Sequence, residues 1–237
     1  MAKDKKGQMN KSDKLVALYH QKSPATEAFR NIRTNLQFMS PDKELKLIMV
    51  TGAEAGVGKS TIATNLALTF SMTGEKAFLL DTDMRKPMLH KLFDLPNFQG
   101  LSSYLSGKED DVGELIAECK HSGTYLMPSG PIPPNPSEML DSKRMIKLLD
   151  KLRERKGVTI IDAPPLLPVT DSVLLSQKID GVVLVASANE TKTEVYKKGL
   201  ERLKQVNANV LGTVLNKFPA NKNAYYSYQN YYYYGRE

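Results

Sequence analysis

An α/β fold, a mostly parallel sheet with helices on both faces, is predicted for this 237-residue chain by three features of its sequence. Short apolar runs alternate with longer segments of helical periodicity. The runs are almost unbroken in hydrophobic character, as strands covered on both faces require. Polar residues recur just beyond their carboxyl ends, where open sheets of this kind bind ligands.

Residues 1–22 are basic and read as a flexible arm. Its lysines (Lys3, Lys5, Lys6, Lys11, Lys14) give it a weak attraction for an anionic membrane face. Ser23-Pro24 then starts a helix, with a hydroxyl at the cap and proline at the first helical position. Phe29, Ile32 and Leu36 form its apolar stripe, and Ser40-Pro41-Asp42 ends it. Leu45–Thr51 is predicted as a strand entering a glycine-rich turn, residues 59–73 as a helix, and Ala77–Leu80 as a strand closed by Asp81. Thr124–Met127, Val158–Ile161, Gly181–Ala186 and Val210–Leu215 are further strands, with helices over Ser137–Arg155 and 192–206. The proline-rich segment Pro128–Pro136 is a rigid loop. One domain therefore spans 23–218. Residues 219–237 are polar and aromatic without core-forming aliphatics, and are predicted to be disordered.

Composition excludes several classes. The chain is 41% hydrophobic and 25% charged, ordinary values for a globular domain. A single cysteine, Cys119, cannot form an internal disulfide and reads as a small buried side chain. No apolar run is long enough to span a bilayer, and the basic N-terminus lacks the apolar stretch of a secretory signal, so a cytoplasmic chain is expected. The net charge of +7 reads as a scattered, solvated surface rather than a nucleic-acid site.

The strongest chemical signal is Ala53-Glu-Ala-Gly-Val-Gly-Lys-Ser-Thr61, lying between a strand and a helix. It has the spacing of a P-loop, with Ala53 where the first glycine usually stands. Gly56 and Gly58 let the backbone N–H groups of Ala55, Gly56, Val57, Gly58, Lys59, Ser60 and Thr61 curl around phosphate. The following helix adds the positive end of its dipole. Lys59 reaches the terminal phosphates, and the Ser60 hydroxyl can ligate Mg²⁺. Asp81, Asp83 and Asp162 follow apolar strands, as carboxylates serving Mg²⁺ would; Asp162 fits the Walker-B position. The fold class is thus a P-loop NTPase.

These residues, with others, resemble the cytoplasmic kinase of the bacterial protein-tyrosine kinases of capsule and exopolysaccharide synthesis. That family carries a P-loop, a D-x-D-x-R motif (Asp81-Thr-Asp83-Met-Arg85), a D-x-P-P Walker B (Asp162-Ala-Pro-Pro165) and a tyrosine-rich tail. Here the tail has Tyr225, Tyr226, Tyr228, Tyr231, Tyr232, Tyr233 and Tyr234. Glu27, Arg30 and Arg33 match the E-x-x-R-x-x-R segment through which such kinases pack into rings. The resemblance implies ATP and Mg²⁺ as cofactors and autophosphorylation of the tail between subunits of a homo-oligomeric ring, an octamer being one size. It also implies a separate membrane-bound activator that recruits the chain to the inner face of the membrane, a cognate tyrosine phosphatase, and room for other protein substrates.

Several assignments stay open. Asp81 or Asp83 takes the tyrosine proton, the other lying nearer the metal with Ser60 and Asp162. Arg85 contacts phosphate or pairs on the surface, Asn216 contacts the adenine edge or is a turn residue, and Glu27–Arg30 could simply pair within one helix. Two other classes compete: a partitioning- or septum-type dimeric ATPase switch without phosphotransfer to protein, and an export scaffold with a merely structural nucleotide site. The switch proteins use a lysine that reaches the partner's nucleotide, where this chain has Glu54, a carboxylate that would repel phosphate.

Overall fold

The computed structural model describes residues 10–39 and 44–218. In chain order the elements are α1 (Lys11–Lys14), α2 (Val16–Tyr19), α3 (Pro24–Phe38), β1 (Leu47–Gly52), α4 (Lys59–Ser71), β2 (Ala77–Asp81), α5 (Leu89–Leu92) and α6 (Leu101–Leu105). There follow β3 (Ala117–Cys119), β4 (Thr124–Met127), α7 (Pro136–Asp141), α8 (Lys143–Glu154), β5 (Val158–Asp162), α9 (Asp171–Ser176), β6 (Gly181–Ser187), α10 (Thr193–Gln205) and β7 (Val210–Asn216). The sheet runs β3-β4-β2-β5-β1-β6-β7, and only the β3–β4 pair is antiparallel.

Alternate side chains of the central strands feed two cores. Ile48, Val50, Leu79, Ile160, Val183 and Val185 pack on the face covered by α3 and α4. Leu47, Met49, Leu80, Ile161, Val182 and Leu184 pack on the opposite face, among buried residues of α6, α8 and α9. This two-sided burial explains the unbroken apolar runs. It also explains why α4 is buried almost all round, from Ile62 to Phe70: the sheet lies on one side and α2 and α3 on the other.

The N-terminal helices correct the expectation of a flexible arm through residue 22. Leu15 and Ala17 are buried, and the Asn65 side chain in α4 accepts from the Ala17 N–H (2.8 Å) and donates to the Lys14 carbonyl (2.7 Å). Four consecutive apolar residues, Leu15 to Leu18, are enough to seat two helical turns on α4. Residues 1–9, and with them Lys3, Lys5 and Lys6, lie outside the described residues.

The helix expected over Ser137–Arg155 is two helices broken at Ser142, whose ψ is 157°. Its hydroxyl donates to the Met139 carbonyl at the end of α7 and accepts from the Met145 N–H at the start of α8, so one side chain closes both ends. Cys119 is fully buried in β3, where burial and Glu118 push its thiol up to about 12 and leave it unreactive.

Asn65→Ala should leave the Ala17 N–H and Lys14 carbonyl without these partners and cost about 1–3 kcal/mol. Amide exchange at Ala17 would then accelerate while the β1 amides stay protected. Unchanged exchange at Ala17 would mean that Leu15 packing alone holds the segment.

Candidate functional site

Every strand tip of the parallel sheet that bears a predicted functional residue opens on one edge. β1 delivers the P-loop, β2 delivers Asp81, β5 delivers Asp162 and β7 delivers Asn216. In the P-loop, Gly56 (φ +83°) and Gly58 (φ +97°) adopt the left-handed conformation that glycine tolerates. A Cβ on Gly58 would lie 2.1 Å from Asn216 Nδ2. That amide donates to the Val57 carbonyl (2.8 Å), so Asn216 braces the loop from behind. Gly58 caps α4, and Lys59, its first residue, is only 8% exposed.

Ala53 departs from the usual glycine and has a structural counterpart that the motif alone did not reveal. A Cβ on Gly199, inside α10, would stand 2.7 Å from the Ala53 Cβ. Glycine in a helix interior costs about 1 kcal/mol relative to alanine. Here it gives Ala53 its space. An isolated glycine in an otherwise amphipathic helix was the available signal.

The carboxylates divide into three environments. Asp81 is fully buried; its Oδ2 accepts from the Met88 and Leu89 N–H groups (3.2 and 3.1 Å) and its Oδ1 from the Asp83 N–H (3.2 Å). It thereby folds the 82–89 loop back over the strand tip. Burial, and then the neighbouring Asp162 charge, hold its carboxyl well above the ordinary range. Asp162 is its partner in the β2–β5 ladder and is 1% exposed. Burial pushes Asp162 up to about 7, against the pull of the Ser60 hydroxyl and the Lys59 ammonium. Its Oδ1 is buried without a hydrogen-bond partner. Asp83 is half-buried, accepts one N–H from Lys86 (2.9 Å), and is the most open of the three.

Arg85 turns to protein in this structure. Its guanidinium forks onto the fully buried Asp171 (Nε to Oδ2 3.0 Å, Nη2 to Oδ1 3.1 Å), and Ser137 donates to the same carboxylate (2.6 Å). Neither Asp171 nor Ser137 was legible as a functional partner, because 86 and 52 positions separate them from Arg85. Glu27, Arg30 and Arg33 sit on α3, away from the strand tips. Arg30 pairs with Glu27 in the same helix, while Arg33 donates to the Thr69 carbonyl (2.7 Å) near the end of α4. The seven tail tyrosines lie outside the described residues.

Comparison with known proteins follows the same lines. The family description "CobQ/CobB/MinD/ParA nucleotide binding domain" matches residues 48–229. The "Tyrosine-protein kinase YwqD" of Bacillus subtilis is 38% identical over 214 residues, covering 90% of each chain. The chain belongs to the bacterial protein-tyrosine kinases. Among solved structures of this family, the chimerical protein CapA2B2 matches with a TM-score of 0.83 and 40% identity, covering 87% of this chain and 91% of that one. The kinase domain of Escherichia coli tyrosine kinase ETK matches with a TM-score of 0.82 and 30% identity, over 87% of this chain and 82% of that one. The P-loop NTPase fold read from the sequence is the fold observed.

Two outcomes follow from this geometry. Gly199→Ala should lower stability by about 1–3 kcal/mol through the clash with Ala53, and Ala53→Gly in the same chain should restore most of it; thermal melts of the single and double variants decide. Asp162 has a folded pKa raised above its unfolded value, so the native state binds the extra proton. Its contribution to stability therefore falls as pH rises from about 4 to about 7. Asp162→Asn should raise the Tm of the nucleotide-free protein at pH 8, by about 2–4 °C for each kcal/mol of relieved desolvation. The gain should vanish at pH 4. An equal shift at both pH values would assign the effect to packing instead.

Proposed function

We propose that this chain is an ATP- and Mg²⁺-dependent protein-tyrosine kinase that phosphorylates the tyrosines of its own C-terminal tail, between subunits. The observation that carries the reading is the strand-tip arrangement: Lys59 and Ser60 at the start of α4 act on the buried Asp162, and the more open Asp83 lies close enough to act on it too. Its family membership supplies the reaction class.

The P-loop N–H groups and Lys59 would bind the β- and γ-phosphates. A buried carboxylate oxygen without a hydrogen-bond partner, close to a P-loop serine, fits a hard cation. Ser60 and Asp162 would hold Mg²⁺, with or without bridging water. When bound, the ion neutralises charge on the phosphate oxygens. Transfer breaks the bond between the γ-phosphorus and its bridging oxygen and forms one to the tyrosine oxygen. The phenol, with an ordinary pKa of about 10, must lose its proton as this happens. Asp83 suits that task. Asp81 is committed to three backbone N–H groups and serves to hold the loop that presents Asp83. Asn216, braced on Val57, would also meet the adenine edge, and Arg85 would act by fastening the same loop to Asp171.

The tail begins after Phe218, at the same edge of the sheet as the P-loop. Its 19 residues would extend to about 60 Å at the limit and reach about 24 Å as a coil, enough for a neighbour's site. In a ring, the exposed Glu27–Arg30 pair could exchange its partner for one on an adjacent subunit at little cost. Each phosphotyrosine adds about −1.5 to −2 charge, so a fully modified tail would reverse the net +7 and repel the acidic site. Among the described residues no helix is long and apolar enough to cross a membrane. A cytoplasmic chain, recruited by a membrane-bound activator, reversed by a tyrosine phosphatase and regulating capsule or exopolysaccharide synthesis, completes the reading.

Intact-mass and phosphopeptide analysis should find up to seven phosphates on Tyr225–Tyr234 after phosphatase stripping and incubation with ATP, Mg²⁺ and an activator. Lys59→Met should carry none. Nucleotide turnover without tail phosphate would leave the ATPase switch as the better description.

A further inference from the structure

Beside the strand tips lies a surface that the phosphate chemistry does not use. The loop after α5 (Leu95–Gly100) and the proline-rich loop after β4 (Pro128–Asn135) are closed onto each other. Asn97 donates to the Gly130 carbonyl and accepts from the Gly130 N–H, both at 2.9 Å. The Leu101 and Ser102 N–H groups donate to the Pro128 and Ser129 carbonyls (2.8 Å each), and the Ser102 hydroxyl to Pro131 (2.7 Å). The fit leaves no room for side chains: a Cβ on Gly100 would lie 2.2 Å from the Pro128 oxygen, and one on Gly130 would lie 2.6 Å from Ser102 Oγ.

This tightly built pair of loops nevertheless turns two large apolar side chains to solvent, Phe98 (85% exposed) and Ile132 (65%). The surface is also uncharged. In a chain that is 25% charged, no Asp, Glu, Lys or Arg occurs from Leu95 to Gly107 or from Ser122 to Ser137. The loops lead to the acceptor side of the site. The Asp81 carboxylate anchors the first turn of α5, and Ser137 joins Arg85, two residues from Asp83. Rigid backbone, exposed aromatic and aliphatic anchors, and absence of charge are the features of a preorganised docking surface.

We infer that Phe98 and Ile132 form the acceptor-docking surface for the unphosphorylated tyrosine tail of a second copy of this chain; the inference rests on the tail-kinase reading above. The chemistry matches. The tract from Tyr225 to Tyr234 has no charged residue, and tyrosine offers a broad apolar ring with little entropy to lose. The loops' own residues carry no cation, and Arg85, beside Ser137, is already forked onto Asp171, so a phosphotyrosine gains little there and the surface favours substrate over product. β7, where the tail starts, is five strand positions from β4, about 24 Å across the sheet, which is the reach of the 19-residue tail as a coil. A second copy is the donor because the proposed transfer runs between subunits.

The test separates the copies. Isotope-labelled full-length Lys59→Met protein serves as acceptor, and wild-type or F98A/I132A full-length protein serves as enzyme, with phosphate on the labelled tail read by mass spectrometry. Substitution in the enzyme copy should raise the KM for acceptor about tenfold, with kcat within about twofold and ADP affinity and Tm unchanged. The same substitutions placed only in the acceptor copy should do nothing, and Phe98→Tyr in the enzyme should retain most of the affinity. An unchanged KM, or an equal loss whichever copy carries the change, overturns the inference. So does a defect confined to stimulation by a membrane activator, which would assign the surface to that partner. If the wild-type enzyme places no phosphate on the acceptor at all, the kinase reading itself fails, and that outcome is distinct from the others.

Discussion

Two carboxylates held side by side out of water set the terms for the rest of the site. Asp81 and Asp162 are ladder partners at the tips of β2 and β5, and at that spacing two charges in a poorly solvated interior repel strongly. The chain treats them unequally. Asp81 is absorbed by three backbone N–H groups and becomes the pivot of the 82–89 loop. Asp162 retains an oxygen with no partner, facing the start of α4 where Lys59 and Ser60 arrive. The cost of burying that oxygen is carried by the central strands of the sheet, buried on both faces, which keep it in place.

What could be read from sequence, and what could not, follows from the range over which each signal acts. β1, β2, β5, β6 and β7 were legible because each is an apolar run followed by polar or glycine residues. The P-loop was legible because its chemistry is contiguous. The start of α3 was announced by Ser23-Pro24, and Ser23 Oγ does accept from the Thr26 N–H. By contrast α5, α6 and α9 have four to six residues, too few to establish a helical period, and β3 has three. Ser142 divided a helix that composition alone could not divide. The fork of Arg85 on Asp171 and the accommodation of Ala53 by Gly199 join residues far apart in the chain, and no local pattern encodes them.

Left-handed glycines and close backbone approach appear twice at the functional edge, to opposite effect. In the P-loop, Gly56 and Gly58 shape a turn whose N–H groups are left for a ligand. Between the loops at Gly100 and Gly130, the Leu101 and Ser102 N–H groups bond the Pro128 and Ser129 carbonyls, and both backbone groups of Gly130 bond the Asn97 side chain. One turn is built to receive charge and the other to stay rigid and neutral.

The N-terminal turns have a mechanical meaning as well. Leu15 and Ala17 are seated on α4, and Asn65 ties their backbone to the helix whose first residue is Lys59. A force applied at these turns is therefore delivered directly to the phosphate-binding helix. Any tether attached there becomes a lever on the nucleotide pocket, and immobilising the chain by those turns would load the pocket directly.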